Sequence, residues 1–233
     1  MEEHRTMFVA DVEDYSSRNG HNQAKLQAAL VGALDYAGRA ANLDPLDWDR
    51  QKQGDGQFVV FPPKTDPVIV IGPFVKALAK FLRKQQTATL RIRVRLAIHE
   101  GPIRLDGANG YPGDHAVQPA RLVSAQPLRD ALAACPEACL GVIVSDRVFA
   151  DYIGQRPNSP RRDRFRRVDV EEKKQRYVGY IHIPGHNVHA LDLPPAALVR
   201  PDVKHPAPVV NVSGTGANVA MYGPQTNHQT FGR

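Results

Sequence analysis

The chain has 233 residues, 42% of them hydrophobic and 23% charged, with a net charge of +6. That length and balance suit one well-filled core with an appendage, leave little room for two full domains, and mark most of the chain as globular. No run is long enough to span a bilayer, and residues 1–30 lack the basic, apolar and small-residue regions of a signal peptide, so a cytoplasmic protein with no membrane partner is expected. Cys135 and Cys139, spaced i, i+4, read as reduced thiols and supply too few ligands for zinc.

Met7 to Ala10 reads as a buried strand ending at Asp11. From about Ser17 to Ala41, Leu26, Leu30, Ala33 and Leu34 recur at helical spacing. Pro45 closes that connection. Leu46 to Gln53 and Gln57 to Phe61 flank Gly54-Asp55-Gly56, the composition of a tight hairpin, and Pro62-Pro63 ends the second strand. A helix follows from about Pro67 to Gln86, with Val70, Phe74, Leu78 and Phe81 towards the core. Arg91 to His99 alternates basic and apolar residues, the pattern of a half-buried strand. After a Gly-rich excursion come a helix over about Ala116 to Ala125 and an apolar strand from Leu140 to Val144. Ser145 caps a short helix through Ile153. Arg164 to Val170 and Tyr177 to Ile183 complete a closing strand pair. The order β-α-β-β-α-β with a further helix and strands predicts an α+β, ferredoxin-like sandwich: a mostly antiparallel sheet with helices on one face. Residues 1–193 form this domain. Residues 194–233 read as a Pro-rich linker and a flexible tail rich in Gly, Asn and Val. Low charge and β-propensity make stacking of that tail with a like segment physically possible.

Much of the positive charge lies between Arg156 and Arg167. Glu171 and Glu172 follow, and no aromatics interleave, so a solvated connector is expected rather than a nucleic-acid surface. His182, His186 and His189 crowd one stretch but span a strand end and a Pro-Gly turn, a poor frame for a common metal site.

Two acidic motifs carry the functional argument: Phe8-Val9-Ala10-Asp11-Val12-Glu13-Asp14-Tyr15-Ser16 and Gln53-Gly54-Asp55-Gly56-Gln57-Phe58. Each sets an aspartate at the edge of a strand-like run, and two such carboxylates on neighbouring strands can hold a pair of divalent cations against a triphosphate. With the segment from Gly113 to Ala120-Arg121-Leu122, these motifs resemble, in order and spacing, the class III nucleotide cyclases, the adenylate and guanylate cyclase superfamily. The likeness covers roughly residues 5 to 185.

The resemblance implies that Asp11, Asp55 and the backbone carbonyl of Val12 hold two divalent ions, Mn2+ or Mg2+. It places nucleotide contacts at Phe8, Tyr15, Ser16, Arg50, Gln51 and Gly113, and backbone N–H groups after Asp11 against phosphate oxygens. Glu13 and Asp14 read as solvent-facing. Asp11, Asp55 and Arg121 would be the catalytic set, with Arg121 acting across a homodimer interface on ions held by the partner.

Two departures from the family stand out. The family pattern has an asparagine four positions after the motif glycine, where this chain has Val117; His115 or Gln118 is close enough in sequence to substitute. Losing one such donor typically costs about 2.7–4 kcal/mol. The base-reading positions of purine cyclases fall on Gln51 and Gly110, and neither carries a purine-reading charge. In this the chain resembles the pyrimidine cyclases of Pycsar antiphage defence, which make cyclic UMP or cyclic CMP for a partner effector. UTP or CTP is the expected substrate: Arg50 can donate to uracil O4, and Gln51 fits either base. The alternatives are a purine cyclase that reads its base by other contacts, and a degenerate nucleotide-binding module.

Overall fold

Apolar residues occupy both faces of the central strands, which dictates a sheet covered on both sides. Along the first strand Met7 and Val9 belong to one buried cluster, whereas Phe8, Ala10 and Val12 belong to another. The same alternation along the fourth strand puts Leu96 and Ile98 with Phe8, and Ala97 with Met7. The computed structural model describes residues 2–193 apart from 88–89, 108–109 and 173–174; the linker and tail at 194–233 lie outside the described residues.

Seven strands, β1 (Glu2–Val12), β2 (Asp49–Gln53), β3 (Gly56–Val60), β4 (Val94–Arg104), β5 (Leu140–Ser145), β6 (Arg166–Glu172) and β7 (Gln175–His182), form one sheet in the order β2-β3-β1-β4-β5-β7-β6. Every neighbouring pair is antiparallel except β4 and β5. The α+β class and the mostly antiparallel sheet agree with expectation. The placement of the helices differs from it. α1 (Gly20–Ala40) and α3 (Val75–Lys84) cover the face that carries Phe8, while α4 (Asp114–Val123) and α5 (Gln126–Ala133) cover the face that carries Met7. Parallel strands need a crossover, and the chain between β4 and β5 makes it with α4 and α5 on that second face.

On the α1 side, Phe8 packs between Phe61 and Phe74, each with ring centroids 5.6 Å away, and meets Trp48 edge-on at 6.1 Å. Such pairs add about 0.5–1.5 kcal/mol each beyond the area they bury. Helix α1 starts at Asn19, whose side chain accepts from the Asn22 amide.

The segment expected as one helix over 67–86 is interrupted. α2 (Pro67–Ile69) and α3 are joined by a π turn, Val70–Phe74, which holds Pro73. Proline has no N–H for the helical ladder, and the wider turn absorbs the loss. β2 is also shorter than expected, because Asp44 caps a 3-10 turn at Pro45–Asp47. A last helix, α6 (Asp146–Tyr152), is capped by Ser145.

Candidate active site

The end of β1 and the β2–β3 hairpin are built to meet. Gln53 pairs with Gly56, which leaves Gly54 and Asp55 as a two-residue turn, and Gly54 has φ +49°. Gly56 lies opposite Asp11, and a Cβ on it would stand 2.3 Å from the Ala10 carbonyl oxygen. Only glycine lets the hairpin approach β1 so closely. The Val12 amide then donates to the Asp55 carbonyl at 3.2 Å. From α1, the Gln27 side chain donates to the Gly54 carbonyl (2.7 Å) and to the Tyr15 hydroxyl (2.8 Å), joining the hairpin tip to the turn after β1.

These contacts bring Asp11 and Asp55 to one open cavity of about 560 Å³, which Val12, Tyr15 and Ser16 also line. Three arginines line it as well: Arg93, Arg95 and Arg129. Arg95 stands opposite Asp11 across the β1–β4 ladder, and its Nε donates to Asp11 Oδ1 at 2.8 Å. Burial nevertheless dominates: it lifts the Asp11 carboxyl from 3.8 to about 6 against the pull of Arg95, and Asp55 adds repulsion. A carboxylate whose charged form burial disfavours despite its arginine, beside a second one, is a fitting seat for divalent cations.

Oxygen donors from Asp11, Asp55 and the Val12 carbonyl suit Mg2+ or Mn2+, which bind through one or two carboxylates and complete their shell with water and phosphate. Among the described residues no group of three or more His, Cys, Asp or Glu is placed to hold a metal. The pair therefore fits ions that arrive with a triphosphate better than a closed, all-protein cage.

Glu13 is not solvent-facing. It pairs with Arg93 Nη1 at 3.0 Å, and its amide donates to the Arg93 carbonyl. Asp14 is exposed, with φ +55°. The amides of Val12 and Glu13 are both engaged within the chain, so neither is open to a phosphate oxygen.

Phe8 is not available to a nucleotide, since its ring is fully buried in the aromatic cluster. Arg50 is also withdrawn from base reading. It lies on the α1 face, ion-paired with Asp35 and stacked 4.7 Å from the Trp48 ring centroid, whereas the neighbouring Gln51 points to the opposite face. Gln51 and Gly110 do meet: a Cβ on Gly110 (φ +100°) would stand 3.0 Å from the Gln51 amide oxygen. Beside them the Tyr111 ring packs on Phe58 with centroids 5.2 Å apart, and burial, with the nearby Asp49 carboxylate, keeps the proton on its hydroxyl.

Helix α4 begins at Gly113, φ +114°, with open space around its Cα. His115 turns inward over Gly101 and meets His99 edge to edge, the rings nearly coplanar, with its Nδ1 2.8 Å from His99 Nε2. Burial drops His99 to about 3, so that ring is neutral, and its Nδ1 meets Ser145 Oγ at 2.8 Å. With its ring committed to this chain, His115 is no substitute for the missing asparagine. Gln118 remains, one turn before Arg121 on α4. Val117 is 38% exposed. Among the described lining of the Asp11–Asp55 cavity there is neither Arg121, Gln51 nor Gly110.

Sequence reasoning missed α5 and the arginines. Pro127 near a helix start and Leu128, Ala131 and Leu132 at helical spacing were the available signals, and Arg95 was visible as a cation at the start of a strand.

No family model and no curated protein matches the sequence. Solved structures do match. An adenylate/guanylate cyclase/hydrolase from Silicibacter pomeroyi has TM-score 0.55 and 16% identity, over 80% of this chain and 99% of that one. The guanylyl cyclase Cya2 has TM-score 0.54 and 14% identity over 79% and 95%. The guanylate cyclase domain of RhGC from Catenaria anguillulae, solved with GTP, has TM-score 0.54 and 16% identity over 78% and 97%. Residues of this chain that carry two carboxylates to one cavity thus sit on the fold of the adenylate and guanylate cyclase domains.

Proposed function

We propose that the chain is a nucleoside triphosphate cyclase that converts UTP or CTP into the 3′,5′-cyclic monophosphate and pyrophosphate. The observation that carries this reading is the convergence of Asp11 and Asp55 on one cavity with Arg93, Arg95 and Arg129. In the reaction the ribose 3′-oxygen attacks the α-phosphorus, the bridging P–O bond to the β-phosphate breaks, pyrophosphate leaves, and the hydroxyl proton passes to solvent. Asp11, Asp55 and the Val12 carbonyl would hold two divalent ions. Such ions acidify the attacking hydroxyl and neutralise the triphosphate. Arg95 and Arg129 supply fixed positive charge to the phosphates, and Tyr15 and Ser16 border the same space.

The separation of Arg121, Gln51 and Gly110 from this cavity supports a homodimer with shared sites. One subunit provides the carboxylates; Arg121 of the partner subunit meets the developing charge, with Gln118 beside it in place of the family asparagine. Gln51 then reads the base with an uncharged amide, which favours a pyrimidine over either purine. A second-messenger role in antiphage defence, acting on a partner effector, follows from the resemblance to the Pycsar cyclases.

A purine cyclase is the second reading, favoured by the guanylate cyclases among the matching structures. Incubation with each of the four nucleoside triphosphates and Mn2+, followed by product identification, tests both. Cyclic UMP or cyclic CMP with pyrophosphate is the expected result. Cyclic AMP or cyclic GMP alone would replace the pyrimidine reading, and binding without pyrophosphate release would mark a degenerate module.

A further inference from the structure

Two basic stretches that play no part in the cyclase chemistry are folded against each other. Arg161 and Arg164 flank the short turn before β6, and His186 and His189 lie in the loop after β7. All four line one cavity of about 530 Å³, together with Asp163 and Asn187. The other arginines of the cluster are committed elsewhere. Arg162 lies 4.6 Å over the Phe149 ring, Arg166 donates to the carbonyls of Leu191 (2.7 Å) and Leu193 (3.0 Å), and Arg167 pairs with Asp169 at 2.8 Å. Asp163 neutralises Arg161. The Arg164 guanidinium has no hydrogen bond or ion pair among the described residues, and neither do the imidazoles of His186 and His189. His182, which the sequence groups with them, is separate: its Nδ1 takes the Arg164 carbonyl at 3.1 Å.

We propose that this cavity is a second anion site, which binds the phosphate group of a small phosphorylated ligand. Arg164 supplies a forked pair of N–H donors and a fixed charge, and each imidazole offers a ring N–H even when neutral. Asn187 spends its side-chain oxygen on the His189 amide, which fixes the loop that carries both histidines. An open pocket lined mostly by polar residues, with no aromatic platform in its described lining, suits a small anion rather than a nucleic-acid strand, whose bases stack on aromatic rings. The site is independent of the cyclase cavity. It lies at the β6 edge of the sheet, four strand spacings from β1, or roughly 19 Å.

The test is a titration of the full chain with inorganic phosphate, pyrophosphate and uridine monophosphate, followed through the ring resonances of His186 and His189. Saturable shifts of both rings are expected, unchanged in Asp55→Ala and weakened about tenfold in Arg164→Gln. A thermal melt of Arg164→Gln without phosphate establishes that it is folded, and His189→Gln gives an independent variant at the same cavity. Comparable affinity for phosphate and uridine monophosphate assigns the site to the phosphate alone. Tighter binding of uridine monophosphate assigns it to nucleotides. Either result supports the proposal. Rings that do not respond to any of the three, or folded Arg164→Gln and His189→Gln chains that both bind phosphate as the parent does, would overturn it. So would a single-stranded oligonucleotide that binds through these residues more tightly than the mononucleotide.

Discussion

Asp11→Asn should make the metal-free chain more stable and inactive at once. Burial holds the Asp11 carboxyl at about 6 in the fold, against 3.8 unfolded. Below 3.8 both states carry the proton and Asp11 contributes no difference. Between 3.8 and about 6 the folded chain keeps a proton that the unfolded chain has lost, so stability falls as pH rises through that window and stays low above it. At about 1.4 kcal/mol for each pH unit, a gap of roughly two units amounts to about 3 kcal/mol at neutral pH. Asparagine keeps an oxygen for Arg95 Nε but never ionises, so it recovers up to that amount, or roughly 6–12 °C in Tm for a domain of this size. The assay is thermal and urea unfolding of both proteins with chelator present, from pH 4 to pH 7.5, then with Mn2+ and nucleotide. The curves should converge near pH 4 and separate towards neutrality, and metal with nucleotide should stabilise the parent alone. Parallel curves, or a less stable variant at pH 7, would refute the account of Asp11 as a buried carboxylate awaiting cations.

Mixed with each other, Asp55→Ala and Arg121→Ala homodimers should regain cyclase activity that neither shows alone, read as pyrophosphate release; intact dimers that stay inactive would count against a shared site. Gly56→Ala forces a methyl to within 2.3 Å of the Ala10 oxygen, a backbone atom that cannot step aside. It should cost about 1–3 kcal/mol in urea unfolding and, by tilting Asp55, about 10²-fold in kcat. Gln51→Ala should narrow the kcat/KM preference for a pyrimidine over a purine triphosphate by about tenfold while leaving metal-dependent stabilisation unchanged.

The features legible in the sequence are those written in local chemistry. Gly54-Asp55-Gly56 declares its own turn, and the run ending at Asp11 declares its own strand, so the meeting of the two carboxylates followed from short motifs. Gln51 and Gly110, which the resemblance to the purine cyclases singled out as base-reading positions, do lie against each other. Legibility failed where orientation decides. Arg50 and Gln51 are adjacent, yet the pleat sends them to opposite faces, and the Asp35 carboxylate that captures Arg50 comes from a helix 15 residues earlier. Phe8 looked like a motif residue but belongs to the core, because apolar residues alternate along β1 on both faces. The short helix α5 escaped notice within a connection that reads as a loop, and Arg129 went with it. His115 was excluded only by packing over Gly101, a contact no periodicity announces.

Gln27 has an importance its position on a surface helix would not suggest. With one amide it spans the two chain segments whose relative placement sets the gap between the acidic groups, so helix, turn and hairpin must shift in concert or not at all. A sheet that slid by a single step at β2–β3 would lose this tie before it lost any apolar packing. The fold thus checks the alignment of its acidic end locally, with a neutral side chain that adds no charge near the two carboxylates.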